Sequence, residues 1–159
     1  MVKRCVGLLT KHLKRDAALP RYRDELLNQA LLDLTSDEDV LAIYLSGSLA
    51  KGQEDNYSDI DLHTIVSDDK RLDFIKKKRE RASKWGNVLF YEDFNPLSPV
   101  VVTHYDCFVK IDSWYHAPSE ITPSIWLKGA KVLYDPNDMI GPIIAKSSSM
   151  IYTVSKEEV

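Results

Sequence analysis

Residues 46–62 carry the chain's clearest chemical pattern. They read Ser46-Gly47-Ser48-Leu49-Ala50-Lys51-Gly52, a spacer, and then Tyr57-Ser58-Asp59-Ile60-Asp61-Leu62. Asp59 and Asp61 stand two residues apart in an alternating run, so on a strand both carboxylates leave the same face. Such a pair is self-repelling, and each member raises the other's proton affinity. A cation between them removes that penalty. Mg²⁺ suits the donor set, because it takes one or two carboxylates together with substrate phosphates. Gly47 permits close backbone approach to a phosphate. The Ser48 hydroxyl, nearby backbone N–H groups and the Lys51 ammonium supply groups that bind phosphate oxygens. Read as structure alone, Gly47-Ser48 is a strand-ending turn and the two acids are exposed strand residues. Two Asp on one strand face speak against that, since Asp is disfavoured in strands.

Other readings of the same residues fail on chemistry. Gly47 and Gly52 have the glycine spacing of a P-loop, but Gln53-Glu54 stand where Lys and Ser/Thr are needed, and Glu54 would repel phosphate. There is no Gly-x-Gly-x-x-Gly. His12, His63, His104 and His116 lack zinc spacing. His63 reads as a polar strand residue that can face the site. Trp85, Trp114 and Trp126 read as core or rim. Trp114 is singled out because it shares a strand face with Asp112.

The elements that must position these groups follow from periodicity. Val2, Val6, Leu9 and Leu13 form one stripe of a helix over 2–15 that packs through that face. Pro20 opens a second helix, in which Leu26, Leu27, Ala30, Leu31 and Leu34 recur at helical spacing. Val40 to Leu45 is an apolar run typical of an interior strand, and Ile60 to Val66 is a second strand. A helix runs from Asp68-Asp69 through Ala82. Its late basic run, Lys76 to Arg81, complements the helix dipole better than it serves nucleic acid. Val88 to Tyr91 is a short strand, and two prolines make 93–99 a loop. Residues 100–105 and 108–115 form a hairpin turning near Asp106. A short helix over 126–130 and a strand over 131–134 complete the set, closed by a turn at 135–137. The result is an α/β domain: helices about 2–34, and one mixed, twisted β-sheet with flanking helices over about 40–135.

Bulk properties narrow the classes. The 159 residues suit a single domain, 1–159. The net charge of −3 argues against a bulk polyanion binder. Cys5 and Cys107 cannot build a disulfide framework, which fits reduced thiols and a cytoplasmic location. No apolar run approaches the length of a membrane span, and the N-terminus lacks a signal-peptide core.

The string from Gly47-Ser48 to Asp59-Ile60-Asp61-Leu62, following a buried strand, resembles the nucleotidyltransferase superfamily with the DNA polymerase β-like fold. It looks most like the branch of aminoglycoside and lincosamide nucleotidyltransferases, with Lys51 where those enzymes often have Arg. The resemblance covers about residues 22–145. It implies a third carboxylate on a later neighbouring strand, and Phe108-Val109-Lys110-Ile111-Asp112-Ser113-Trp114 nominates Asp112. Many relatives have an apolar residue where Ser113 stands. Asp106 is the competing candidate, in a turn where Asp is common for local reasons.

The resemblance further implies transfer of a nucleoside monophosphate from an NTP, chiefly ATP, to a hydroxyl of a small-molecule acceptor. Asp59, Asp61 and Asp112 would hold two Mg²⁺ ions, with Mn²⁺ as a substitute. Gly47, Ser48 and Lys51 would grip the nucleotide's triphosphate. The alternative is a nucleotide-binding module of toxin–antitoxin type that modifies a protein partner or has lost catalysis. Antibiotic-modifying relatives build the acceptor pocket with a further helical domain. Ser155-x-x-Glu158 is a capping-box helix start at the chain's end. The expectation is therefore a missing C-terminal helical domain, or a homodimer whose partner completes the pocket.

Overall fold

The computed structural model describes residues 2–151. Helix α1 (Val2–Thr35) is followed by β1 (Val40–Ser46), α2 (Gly47–Ala50) and β2 (Ile60–Val66). Next come α3 (Arg71–Lys76), α4 (Lys78–Ser83), β3 (Val88–Glu92), β4 (Val100–Tyr105) and β5 (Lys110–His116). The last described elements are β6 (Lys131–Tyr134) and α5 (Gly141–Ser148). Six strands form one mixed sheet in the order β3-β4-β5-β2-β1-β6. Among the described residues only β2 and β5 pair in parallel, and they lie at its centre. The expected α/β architecture is therefore present. Among the described residues no helix is long and apolar enough to cross a membrane.

Alternation along the central strands separates two faces. Ile43, Leu45, Ile60, Leu62, Ile111 and Tyr115 point to one side, where they join Leu26, Ala30, Leu34, Phe74, Ile75 and Trp85 in the main buried cluster. The opposite face carries Ser46, Asp61, His63, Asp112, Trp114 and His116, with only a small cluster of Ala42, Tyr44, Ile65, Leu127 and Ile140 beside them. One face thus stabilises the domain, and the other is left open for chemistry.

Several expectations are corrected. The two N-terminal helices are one, with Pro20 inside α1. The buried stripe Leu19, Arg23, Leu26, Ala30, Leu34 runs past the proline without a phase break. Its packing outweighs the single backbone hydrogen bond that Pro20 removes. Leu13 is exposed rather than packed. The helix expected over 68–82 is a 3₁₀ turn (Asp68–Lys70) followed by α3 and α4, with a break at Lys77 (φ −100°, ψ 10°). The short helix near 126 is a 3₁₀ turn, Ile125–Leu127. Helix α5 was not expected, although Gly141-Pro142 is a helix opening with Pro in the first turn. The Ser155-x-x-Glu158 signal lies outside the described residues.

Candidate active site

Register assembles the site. In the antiparallel pairing of β1 with β2, Ser46 lies opposite Asp61. In the parallel pairing of β2 with β5, Asp61 lies opposite Asp112. The Gly-Ser turn and two carboxylates therefore meet on three adjacent strands. Asp59 precedes β2 and is tied in by Lys110, whose Nζ lies 3.3 Å from Asp59 Oδ2 and 3.8 Å from Asp112 Oδ1. Asp106, the competing third carboxylate, sits in the β4–β5 turn and accepts a hydrogen bond from Asn87 Nδ2 at 3.3 Å.

The electrostatics reflect this crowding. Burial, then the charges of Asp112 and Asp59, pushes the Asp61 carboxyl up to about 6 against the pull of Lys110. Burial also raises Asp112, and Lys110 opposes the rise. The Lys110 ammonium is disfavoured by burial but held in its charged form by Asp112 and Asp59. Asp112 Oδ1 is buried and accepts no hydrogen bond. This chemistry fits a divalent cation: hard oxygen donors, one of them unsatisfied, already attracting an ammonium. Among the described residues no three acid, imidazole or thiol groups converge on one point as a finished cage.

Gly47 fixes the close approach. It has φ +75°, and a Cβ there would overlap Asp61 Oδ2. Gly52 has φ +68° with nothing near its absent Cβ. Both Gly→Ala variants are expected to pay the left-handed cost of about 1–2 kcal/mol. Gly47→Ala should lose additional stability, because Asp61 must move. Denaturant midpoints of the two variants test this, and equal losses would remove the Asp61 contact as a cause.

The remaining predicted residues divide. Gly47, Lys51, Asp61 and Asp112 line one cleft of about 730 Å³. Ser48 and Asp59 are not part of that lining. The Ser48 hydroxyl donates to Ser58 Oγ at 3.1 Å, and Ser58 in turn donates to Asp55 Oδ1 at 3.3 Å. Two groups were missed. Lys110 was legible only as a strand residue two positions before Asp112. Arg23 is 5% exposed on α1, and its Nη1 donates to the Asp55 and Ser58 carbonyls at 2.9 and 3.2 Å. It clamps the loop that delivers Asp59, and nothing in a helical stripe announces that.

The cleft continues past the carboxylates along β2 and β5. His63 stacks on Tyr44 (4.5 Å between centroids, 3° between planes), and lies near Trp114 and His116 at 5.8 and 5.2 Å. Ser46 Oγ and His63 Nε2 are 2.8 Å apart, and His63 Nδ1 is 2.9 Å from His116 Nε2. Burial, reinforced by His116, lowers His63 to about 3, so this imidazole is neutral at ordinary pH. His63 and Trp114 both face the site, whereas Trp85 is core and Trp126 is 81% exposed at the cleft.

Comparison with known proteins adds the family. The structure of a STING-associated CdnE c-di-GMP synthase from Capnocytophaga granulosa aligns with a TM-score of 0.40 and 18% identity. That alignment covers 65% of this chain and 33% of the synthase, so the chain spans about a third of that protein's length. A toxin–antitoxin crystal structure with AMP-PNP aligns with a TM-score of 0.37 and 14% identity, over 78% of this chain and 82% of that one. No curated protein matches. The family described as "Nucleotidyltransferase domain" matches residues 26–109, a span that holds the Gly-Ser turn, Asp59 and Asp61 and stops short of Asp112. With more than half of its length matched, the chain belongs to the nucleotidyltransferase domain family.

Proposed function

We propose that this protein transfers a nucleoside monophosphate from an NTP to the hydroxyl of a small-molecule acceptor, releasing pyrophosphate. The observation that carries the reading is the β1–β2–β5 register, which sets Ser46-Gly47, Asp61 and Asp112 side by side. Asp59, Asp61 and Asp112 would hold Mg²⁺, which when bound supplies positive charge against the triphosphate and the charge that develops in transfer. Gly47 leaves the backbone free to approach the β- and γ-phosphates, and Lys51 brings an ammonium to the same end of the cleft. Ser48 supports the loop through Ser58. Lys110 keeps the Asp59 and Asp112 carboxylates oriented toward one another.

In the transfer the acceptor oxygen forms a bond to the α-phosphorus while the bond from that phosphorus to the bridging oxygen of pyrophosphate breaks. The acceptor's proton passes to Asp112, which lies beside Asp61 and whose proton affinity burial has raised. Incubation with ATP labelled at the α-phosphate, Mg²⁺ and a panel of small alcohols should move label onto a small molecule. The γ-label should appear in pyrophosphate. Label found only on a protein band would support protein modification instead. No transfer of α-label from any of the four NTPs would end the reading.

A further inference from the structure

The cleft has two chemically distinct ends. Gly47, Lys51, Asp61 and Asp112 line one, and the ring row of Tyr44, His63, Trp114 and His116 lines the other. Because β1 and β2 are antiparallel, the path from Gly47 past the Ser46–Asp61 pair leads directly to the Tyr44–His63 pair. On β5 the same path runs from Asp112 to Trp114 and His116. In-line displacement places the leaving pyrophosphate and the attacking oxygen on opposite sides of the phosphorus. With the triphosphate tail at Gly47, the attacking oxygen arrives from the ring end.

That end is built for a flat, uncharged group. Trp126 lines the same cleft and is 81% exposed, yet its backbone is anchored. Leu127 beside it is buried. The Ser124 N–H donates to the Oγ of the fully buried Ser147 on α5, at 3.0 Å. Lys128 Nζ donates to the Met150 carbonyl at 3.2 Å. An indole left in the open on a fixed turn is a stacking surface at low entropic cost.

Charge narrows the ligand class. Among the described residues, the only carboxylate lining the cleft beyond Asp61 and Asp112 is Glu120. Glu120 is already paired with Arg71 and accepts the Ala117 N–H at 2.8 Å. Lys51 and Lys128 also line the cleft. A polycationic acceptor would find no free carboxylate beside the ring row, and two ammonium groups elsewhere in the cleft lining.

Resting on the nucleotidyl-transfer reading, we infer that the ring end is the acceptor subsite and takes a neutral, ring-bearing alcohol stacked on Trp126. Nucleosides and glycosides share that chemistry, and two probes separate them. The protein is loaded with α,β-methylene-ATP and Mg²⁺, then titrated by calorimetry with adenosine, with p-nitrophenyl glucoside and with the polycation neamine. At least one neutral probe should bind the loaded protein more tightly than neamine does. Which of the two binds better assigns the source of the ring. Trp126→Ala should weaken that binding about tenfold or more. Trp126→Phe should restore it, and affinity for the ATP analogue should not change. The exposed position of Trp126 leaves the fold intact in both variants, which a melting curve checks. Tighter binding of neamine, absence of binding by both neutral probes, an unchanged affinity in Trp126→Ala, or expulsion of the probes by the analogue would overturn the inference. Failure to bind the ATP analogue itself would instead remove the nucleotidyl-transfer reading on which it rests.

Discussion

Asp61→Asn is expected to lower nucleotidyl transfer by about a thousandfold or more while leaving the protein at least as stable as before. The two effects share one cause. Asp61 sits among Asp112, Asp59 and the backbone of Gly47, and its carboxyl is pushed from 3.8 to about 6. An acid whose folded pKa lies above its unfolded value binds more protons in the folded state. Its contribution to stability is therefore full below about pH 4 and is lost as the pH rises to about 6. Half-exposure lets solvent screen the interaction, so the ionised carboxylate costs about 1 kcal/mol rather than the full shift. Asn keeps the size, removes the charge, and removes this pH dependence. Melting curves of both proteins between pH 4 and pH 7, with and without Mg²⁺, should show the difference moving against wild type as the pH rises, and Mg²⁺ at pH 7 stabilising wild type but not the Asn variant. Retained turnover, or a lower melting temperature at pH 7, would sink the argument.

What was legible in the sequence was what a strand's own periodicity expresses. Asp59 and Asp61 announce themselves by their spacing, whereas Asp112 was nominated only by the family resemblance. Their meeting depends on the β2–β5 pairing, which joins residues some fifty positions apart in sequence and has no local signature. Lys110 was missed for that reason, since its contact to Asp59 exists only through that register. Arg23 was missed because a buried arginine in a helical stripe looks like a solvated one until the loop it holds is in place. Pro20 misled in the opposite direction. Its local preference for a helix start is genuine, but α1 continues through it, with Leu19 buried just before it and Arg23, Leu26, Ala30 and Leu34 buried after it. The ring row was visible only in part. His63 and Trp114 share the face of the carboxylates, whereas Tyr44 joins the row from β1 and Trp126 lines the same cleft from a turn whose position the sequence does not encode locally.

The basic run after Asp73 shows the same limit and leads to the largest expected effect on stability. Lys76 to Arg81 read as a solvated face complementing a helix dipole. In the structure the helix breaks at Lys77, and Lys78 turns inward to 2% exposure. Its Nζ lies 2.7 Å from Asp93 Oδ1 and donates to the carbonyls of Asn95, Ser98 and Val100 at 2.9, 2.8 and 3.2 Å. One ammonium therefore ties both ends of the 93–99 loop to the start of β4. Burial alone would raise the Asp93 carboxyl, but hydrogen bonds and charges from Lys78 and Arg79 hold it below its usual range. Lys78→Met fills the space but leaves a buried carboxylate without its closest cation and takes a shared donor from three carbonyls. The expected cost is about 3–5 kcal/mol, a large share of a domain's 5–15 kcal/mol. Adding Asp93→Asn to Lys78→Met should cost less than the two single changes summed, because the stranded charge is gone. The sign with pH also differs from that of Asp61. A lowered carboxyl contributes stability above its unfolded pKa and loses it as the pH falls, so wild type should be acid-labile through Asp93 and Lys78→Met less steeply so. Denaturant melts of the two single variants and the double variant at pH 7 and pH 4 measure all of this. A Lys78→Met loss below about 1 kcal/mol, the range of an exposed ion pair, would show that the ammonium is not what holds the loop.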